Sequence, residues 1–251
     1  MLHNIQAIVL NNHNYGNSSL ICNLFSNTQG KVSIIAKGAK TIKNPNSALL
    51  QPLNCVDVIY YHKETRNIQL LKEASLNIKF KNIRDSYKKM VYSLTLIDII
   101  NKISFHGGPC EIIFRLTKTT LIKIDEQSDD LIALYYIFFQ IQLLIYLGYQ
   151  PSFFSCYNCH EKIVQGCFNQ EAGMVICNKC RVNQKIIIDS DDLAVIEQLM
   201  STHINDIHHI SIKHSEVLNK INFLLYRFIL FHLPEVKYCK LFKERNIDGL
   251  F

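Results

Sequence analysis

At 251 residues, with 48% hydrophobic and 19% charged side chains, the chain can bury a core of ordinary size, as one large domain or two small ones; a disordered class is excluded. The formal charge of +6 is uneven, because residues 1–80 carry eight Lys or Arg against three Asp or Glu and so hold +5 of it. A basic third on a near-neutral body suits a module that binds a polyanion, carried by a scaffold.

Residues 1–80 read as β structure. "IQAIVL", "SLICNLF", "KVSIIAKG", "CVDVIYY" and "NIQLLKEA" are short β-rich runs, and turn-forming stretches such as "NNHNYGN", "SNTQG" and "HKETR" separate them. Five such strands with a positive surface suit a small closed barrel of the OB type, with an SH3-like barrel as the competing pattern. In residues 31–37 alternation sends Val32, Ile34 and Ala36 to one face and Lys31, Ser33, Ile35 and Lys37 to the other. If the apolar set faces the core, two lysines point outward. Lys40 and Lys43 follow in a loop after Gly38, and Lys63 and Arg66 occupy another hairpin tip. Such a cationic track suits phosphate contacts, which add affinity without sequence choice. Tyr15 in the first loop, and Tyr60 or Tyr61 beside the second, are candidates for stacking on bases, whereas Phe25 reads as core.

From residue 81 the period becomes helical. Ile83, Tyr87, Met90, Leu94 and Ile97 recur at spacings of four and three, which predicts one amphipathic helix with Lys88 and Lys89 on its polar side. "HGGP" (106–109) breaks the pattern, and a second helix covers 110–124. The run 131–149 is uncharged and long enough to raise the question of a membrane span. Gln140 and Gln142 interrupt it, Asp129 and Asp130 precede it, and Gly148 and Pro151 close it, so a capped, buried central helix is expected. Helical pattern returns at 190–200, with Ser190 as the expected N-cap and two acids in the first turn, and again at 215–233 up to Pro234. The architecture expected is therefore α+β and multidomain: an N-terminal OB-fold β-barrel at 1–80, then an all-α domain at 81–251 with a cysteine module inserted at 152–186.

That module, "CYNCHEKIVQGCFNQEAGMVICNKCR", contains five of the chain's nine cysteines. Cys156/Cys159 and Cys177/Cys180 form two Cys-x-x-Cys pairs, and their separation falls within the range of four-cysteine zinc sites. Each pair turns two thiolates to one side, and a hairpin brings the turns together around a tetrahedral ion. Four thiolates close the coordination sphere, so the Zn²⁺ expected here is structural. A redox or disulfide pair and a site that binds nothing are the competing readings; the first lacks the βαβ context that a thioredoxin-like motif needs. Glycine often follows the second cysteine of such a turn, but here His160 and Arg181 do, and His160 and Cys167 compete for coordination. Cys22, Cys55, Cys110 and Cys239 stand alone in apolar patterns and are expected as buried core thiols. The first residues lack the features of a secretory signal, which puts these cysteines in a reducing cytosol.

Three stretches resemble the bacterial recombination and repair family RecO: "IQAIVLNNHNYGNSSLICNLFSNTQGKVSIIAKGAKTIKN", "FFQIQLLIYLGYQPSFFSCYNCHEK" and "YRFILFHLPEVKYCKLF". The Leu-Gly-Tyr-x-Pro junction running into the first cysteine pair, and the Ala-Lys-Gly-Ala-Lys strand end, are the most specific parts. The resemblance implies an OB-fold, a helical C-terminal domain and, in many members, a four-cysteine zinc module. It implies binding of single- and double-stranded DNA, annealing of complementary strands, and contacts with RecR and with the acidic C-terminal tail of single-stranded-DNA-binding protein. Through these, RecA is helped onto coated single strands in the RecF pathway, in the cytoplasm at the nucleoid, with no membrane and no catalysis. Lys40 stands where the family often has Arg, and Cys239-Lys240 where it often has Ser-Arg.

An enzyme reading finds little support. Residues 1–80 offer only Asp57, Glu64 and Glu73 for a catalytic divalent ion, His208 and His209 are adjacent rather than at i, i+4, and no phosphate-binding loop or nucleophile elbow is present. The remaining alternative is a zinc-ribbon adaptor that works through protein contacts with incidental affinity for nucleic acid.

Overall fold

A computed structural model describes residues 1–41, 44–103, 110–180, 187–212 and 215–239. Lys43, the "HGGP" break, Arg181 and Lys240 lie outside the described residues. The chain divides into two compact units, Met1–Glu126 and Gln127–Phe251.

The first unit is built on strands β1 (Leu2–Tyr15), β2 (Ser19–Ser26), β3 (Gly30–Ala36), β4 (Cys55–Tyr61) and β5 (Ile68–Ile78), with the short helix α1 (Asn46–Leu49) between β3 and β4. They close in the order β1-β2-β3-β5-β4, and the closure is a short parallel pairing of Ser33, Ile34 and Ile35 with Ile68, Gln69 and Leu70. This is the OB-type topology expected from the strand pattern. Alternation decides what lies inside: Leu20, Cys22 and Leu24 from β2, Ile34 and Ala36 from β3, and Val56, Val58 and Tyr60 from β4 fill the barrel. β1 is longer than its apolar run because it serves two partners. Its first half pairs with β4 and its second with β2, with a bulge between Val9 and Asn11 that bends the strand around the closure.

Helices α2 (Lys81–Asp85), α3 (Tyr87–Lys102) and α4 (Glu111–Glu126) complete this unit. The single amphipathic helix expected from residue 83 onward is two helices. Ser86 takes an extended conformation and its side chain accepts a hydrogen bond from the Lys89 N–H, which caps α3 and resets the helical phase. The buried face of α3 includes Tyr92, Leu96, Ile97, Ile99 and Ile100; of the expected stripe Ile83 and Ile97 are buried, whereas Tyr87 is 77% exposed. Lys89 is buried rather than on a polar side, and its ammonium donates to the Asp125 carbonyl (3.0 Å) in the last turn of α4, where a cation opposes the negative end of the helix dipole. Part of the barrel's outer surface is covered in the same way: Phe25 packs on Phe114 of α4 (ring centroids 6.0 Å apart) and Lys118 donates to Gln6 of β1 (2.8 Å).

In the second unit a 3-10 turn (Asp129–Leu131) leads into α5 (Ile132–Tyr146). The stretch Asp129–Tyr146 is long and apolar enough to cross a membrane by length and composition, but 67% of it is buried inside the protein, as befits a central core helix. Its one deeply buried amide, Gln140, donates to Asn222 (2.8 Å) of α7 (Ser215–His232), which answers a buried polar group with another. Helix α6 (Ser190–Ser201) is capped by Asp189 and not by Ser190. From Asp189 the third helical position is Asp192, whose carboxylate accepts the Asp189 N–H (2.9 Å) while Asp189 accepts from Asp191 and Asp192. A cap at Ser190 would put the buried Leu193 in that place, with nothing to return the bond. Lys220 of α7 bridges both carboxylates and holds Asp189 below its usual range, whereas burial raises Asp192.

Among the lone cysteines, burial pushes the Cys22 thiol up to about 12 and the Cys55 thiol up to about 11, and Cys239 is likewise buried. Cys110 departs from expectation in being only half-buried.

Candidate nucleic-acid interface and candidate metal centre

The chain leaves β3 through a tight turn in which Gly38 adopts φ +67°, a conformation that side-chain-bearing residues rarely take. Lys37 and Lys40 flank that glycine and both are exposed. The Lys40 N–H donates to the Ser18 carbonyl (2.9 Å), so this turn is tied to the tip of the β1–β2 hairpin. Tyr15 stands at that tip, 56% exposed and paired with Ser19. One end of the barrel thus assembles two exposed cations and an aromatic ring, beside an open groove between Lys40, Thr41, Asn44, Ser47 and Gln51.

Lys63 and Arg66 are exposed in the β4–β5 hairpin. Gln69 builds that loop: its carbonyl oxygen accepts the Lys63 N–H (2.9 Å) and its amide donates to the carbonyls of Lys63 (3.1 Å) and Arg66 (2.6 Å). Because Ile68 enters the sheet opposite Ser33, the hairpin lies toward the start of β3, at the other end of the strand from Lys37. Tyr61 is 45% exposed, whereas Tyr60 is buried with its hydroxyl on His3 (3.3 Å).

Lys31 behaves differently from its neighbours. It is half-buried, and its ammonium donates to the Asn101 carbonyl (2.6 Å) in the last turn of α3. Burial, and secondarily the charge of Lys102, lower its pKa. This side chain braces the barrel against a helix. Strand alternation pointed it away from the core correctly, but the pattern carries no sign of the helix that covers that end of the face.

The cysteine module is a four-stranded sheet in the order β6 (Ser152–Cys156), β8 (Met174–Cys177), β7 (Gly166–Asn169) and β9 (Ile187–Ile188). β6 and β8 are neighbours and parallel, so both strands run out at the same edge, and the turn after each delivers a cysteine pair to one place. The sulfurs of Cys156, Cys159, Cys177 and Cys180 all lie within 4.8 Å of one another, with Cys159 and Cys177 at 3.7 Å. Metal–sulfur bonds of about 2.3 Å in a regular tetrahedron put sulfurs about 3.8 Å apart, so the four side chains fit a tetrahedral metal ion. Burial acts to raise the Cys156 thiol, but N–H donors from Cys177, Cys159 and Asn158 outweigh it and bring the group down to about 6. Hydrogen bonding to the Cys177 and Cys159 sulfurs pushes Cys180 up to about 12, and a bound cation would let all four ionise together. Cys167 sits in β7 opposite Ile176, and neither it nor His160 joins the cluster.

His160 stands where glycine is usual and takes glycine's conformation, with φ +62°. Its N–H closes the turn on the Cys156 carbonyl (3.0 Å). Replacement His160→Gly is expected to relieve this strain and raise the stability of the module by about 0.5 kcal/mol after the entropy of glycine is counted. In a thermal melt that is a rise of about 1–2 °C; a fall would mean that the imidazole makes a compensating contact.

The module rests on α7. Phe153 stacks on Phe168 (5.5 Å), which meets Phe228 edge-on (5.9 Å), and a Cβ on Gly173 would lie 2.7 Å from the Phe228 ring.

Residues 1–79 match the family model described as "Recombination protein O N terminal", and residues 84–240 match "Recombination protein O C terminal". A DNA repair protein RecO from Alkaliphilus metalliredigens is 25% identical over 252 residues, covering 96% of this chain and 98% of its own length. Another from an Exiguobacterium species is 26% identical over 203 residues, covering 81% and 80%. A third, from Salinibacter ruber, is 29% identical over 147 residues, covering 59% and 56%.

Proposed function

The chain belongs to the recombination protein O family of DNA repair proteins, and on that premise we propose that it is a non-enzymatic mediator that binds DNA and anneals complementary single strands. The observation that carries this reading is the joining of Lys37, Lys40 and Tyr15 at one end of an OB-type barrel through the Lys40–Ser18 bond. Two DNA strands repel each other through their phosphates, and a protein that neutralises both lowers the barrier to pairing without making or breaking a bond. In this reading residues 1–80 form the DNA-binding domain, with Lys37, Lys40, Lys63 and Arg66, and Lys43 beyond the described residues, supplying phosphate contacts. Residues 81–251 carry the partner contacts: RecR, the acidic C-terminal tail of single-stranded-DNA-binding protein and, indirectly, RecA. The protein acts in the cytoplasm on nucleoid DNA.

The four-cysteine cluster holds Zn²⁺ in this reading. Cys156, Cys159, Cys177 and Cys180 supply every donor, so the ion contributes folding stability and offers no position to a substrate.

The test is binding of a fluorescent oligothymidylate across a salt series, followed by annealing of complementary oligonucleotides. Five cations on single-stranded DNA predict a slope of log affinity against log salt of about −3.5. Salt-insensitive binding, or no annealing, would overturn the proposal. Partner capture that survives nuclease treatment, without annealing, would point to the adaptor reading instead.

A further inference from the structure

The four clustered sulfurs are chemically alike but unequally placed. Cys156 is buried, Cys177 and Cys180 are half-buried, and Cys159 is exposed. The Cys156 sulfur is also engaged by the Cys177 N–H, which donates to it (3.3 Å). Cys159 thus presents the sulfur that a small solute meets first. The Cys177 sulfur lies 3.7 Å from it, in van der Waals contact across the gap between the two Cys-x-x-Cys turns.

An exposed thiolate with a second thiolate touching it is the arrangement that a peroxide converts to a disulfide. The geometry also favours one partner over the others. Cys156 is buried and held by the strand that it ends, whereas Cys177 is half-buried and already against the Cys159 sulfur. Cys167 is buried in β7 and stands outside the cluster.

We propose that the cysteine module is a peroxide-reactive site, in which Cys159 is oxidised first and Cys177 closes a disulfide onto it, joining the two turns. The Cys159 thiolate attacks one oxygen of hydrogen peroxide. Its sulfur gains that hydroxyl as the O–O bond breaks, and the other oxygen leaves as hydroxide. The Cys177 thiolate then attacks the same sulfur, forming the S–S bond and expelling the second hydroxide. Two thiolates have given up two electrons, and one peroxide has been reduced to two hydroxides. Cys156 and Cys180 alone do not make a closed four-donor site, so the cluster loses its hold on Zn²⁺. The module then loosens, and with it the contact of Phe168 with Phe228 of α7. A dithiol reductant restores both thiolates. The release of metal rests on the Zn²⁺ reading above; the disulfide does not.

The experiment treats the full-length protein with hydrogen peroxide, separates released ions by gel filtration for metal analysis, and maps disulfides after free thiols are blocked. Cuts after Tyr157, Lys162, Phe168 and Lys179 leave each of the module's five cysteines on its own peptide. The expected result is loss of the bound zinc in step with a Cys159–Cys177 cross-link, both reversed by dithiothreitol and added zinc. Cys159→His keeps a fourth donor for the ion and removes the exposed sulfur, and should slow release about tenfold or more. Cys167→Ser should react as the wild type does. A disulfide confined to Cys156 and Cys159, a bond through Cys167, or a cluster that stays reduced would overturn the proposal, even with the ion in place. Release from Cys159→His at the wild-type rate would overturn it also. A Cys159–Cys177 bond in protein that carries no metal as purified would remove the Zn²⁺ reading and uphold the reactive pair.

Discussion

Stripping metal from the purified protein with a chelator, or replacing Cys159 with Ser, is expected to unfold the module around β6–β9. Structural zinc contributes apparent stabilisation of about 10 kcal/mol or more in small zinc-finger domains, and this sheet is too small to hold without it. The strands contain few residues that are both apolar and buried, chiefly Phe153, Phe168, Val175 and Ile176, and part of that surface is spent on Phe228 rather than on the sheet itself. Metal analysis should give one ion per chain for the wild type and for Cys167→Ser, and far less for Cys159→Ser. Melting followed by circular dichroism should show an early transition after chelation. Binding of single-stranded DNA should survive, because the barrel and helices α2–α4 form their own compact unit. A protein that carries no metal and melts identically with and without chelator would sink the metal assignment.

Reversing two charges, Lys37→Glu/Lys40→Glu, is expected to weaken oligothymidylate binding by about a hundredfold or more at moderate salt and to reduce the salt slope by about 1.4, two single-strand phosphate contacts' worth. Both side chains are exposed and flank the Gly38 turn, so the fold should be untouched. Strand annealing should fall with the binding. Lys31→Gln is the informative contrast. Its ammonium is engaged with the Asn101 carbonyl, so the substitution should lower the melting temperature of the barrel unit and leave the slope nearly unchanged. Unaltered annealing by the Lys37/Lys40 pair would remove that end of the barrel from the DNA interface.

Which parts of this molecule can be read from residues alone follows from the range of the interactions involved. Period-2 alternation in β2, β3 and β4 separates inside from outside because each residue's facing is set by its neighbours two positions away. The apolar run of α5 reads as a central helix because no amphipathic solution exists for it. The spacing of two Cys-x-x-Cys turns reads as a tetrahedral site because each turn is local and only one contact between them is needed. Single-residue competition was harder to read. Ser86 and Asp189 each won a helix cap through a hydrogen bond whose partner, Lys89 or Asp192, matters only once the helical phase has been chosen. His160 adopts the conformation of an absent glycine because the turn that closes its N–H on the Cys156 carbonyl demands one.

What the residues determine by themselves is the five barrel strands, the inward face of β3, the central helix α5 and the four cysteines that cluster. The tertiary structure alone decided the setting of each cation: Lys37 and Lys40 are exposed, whereas Lys31 and Lys89 are tied to the carbonyl-rich ends of α3 and α4. A lysine's charge is the same wherever it stands. Whether that charge meets solvent or a helix end depends on segments tens of residues away, which local pattern does not encode.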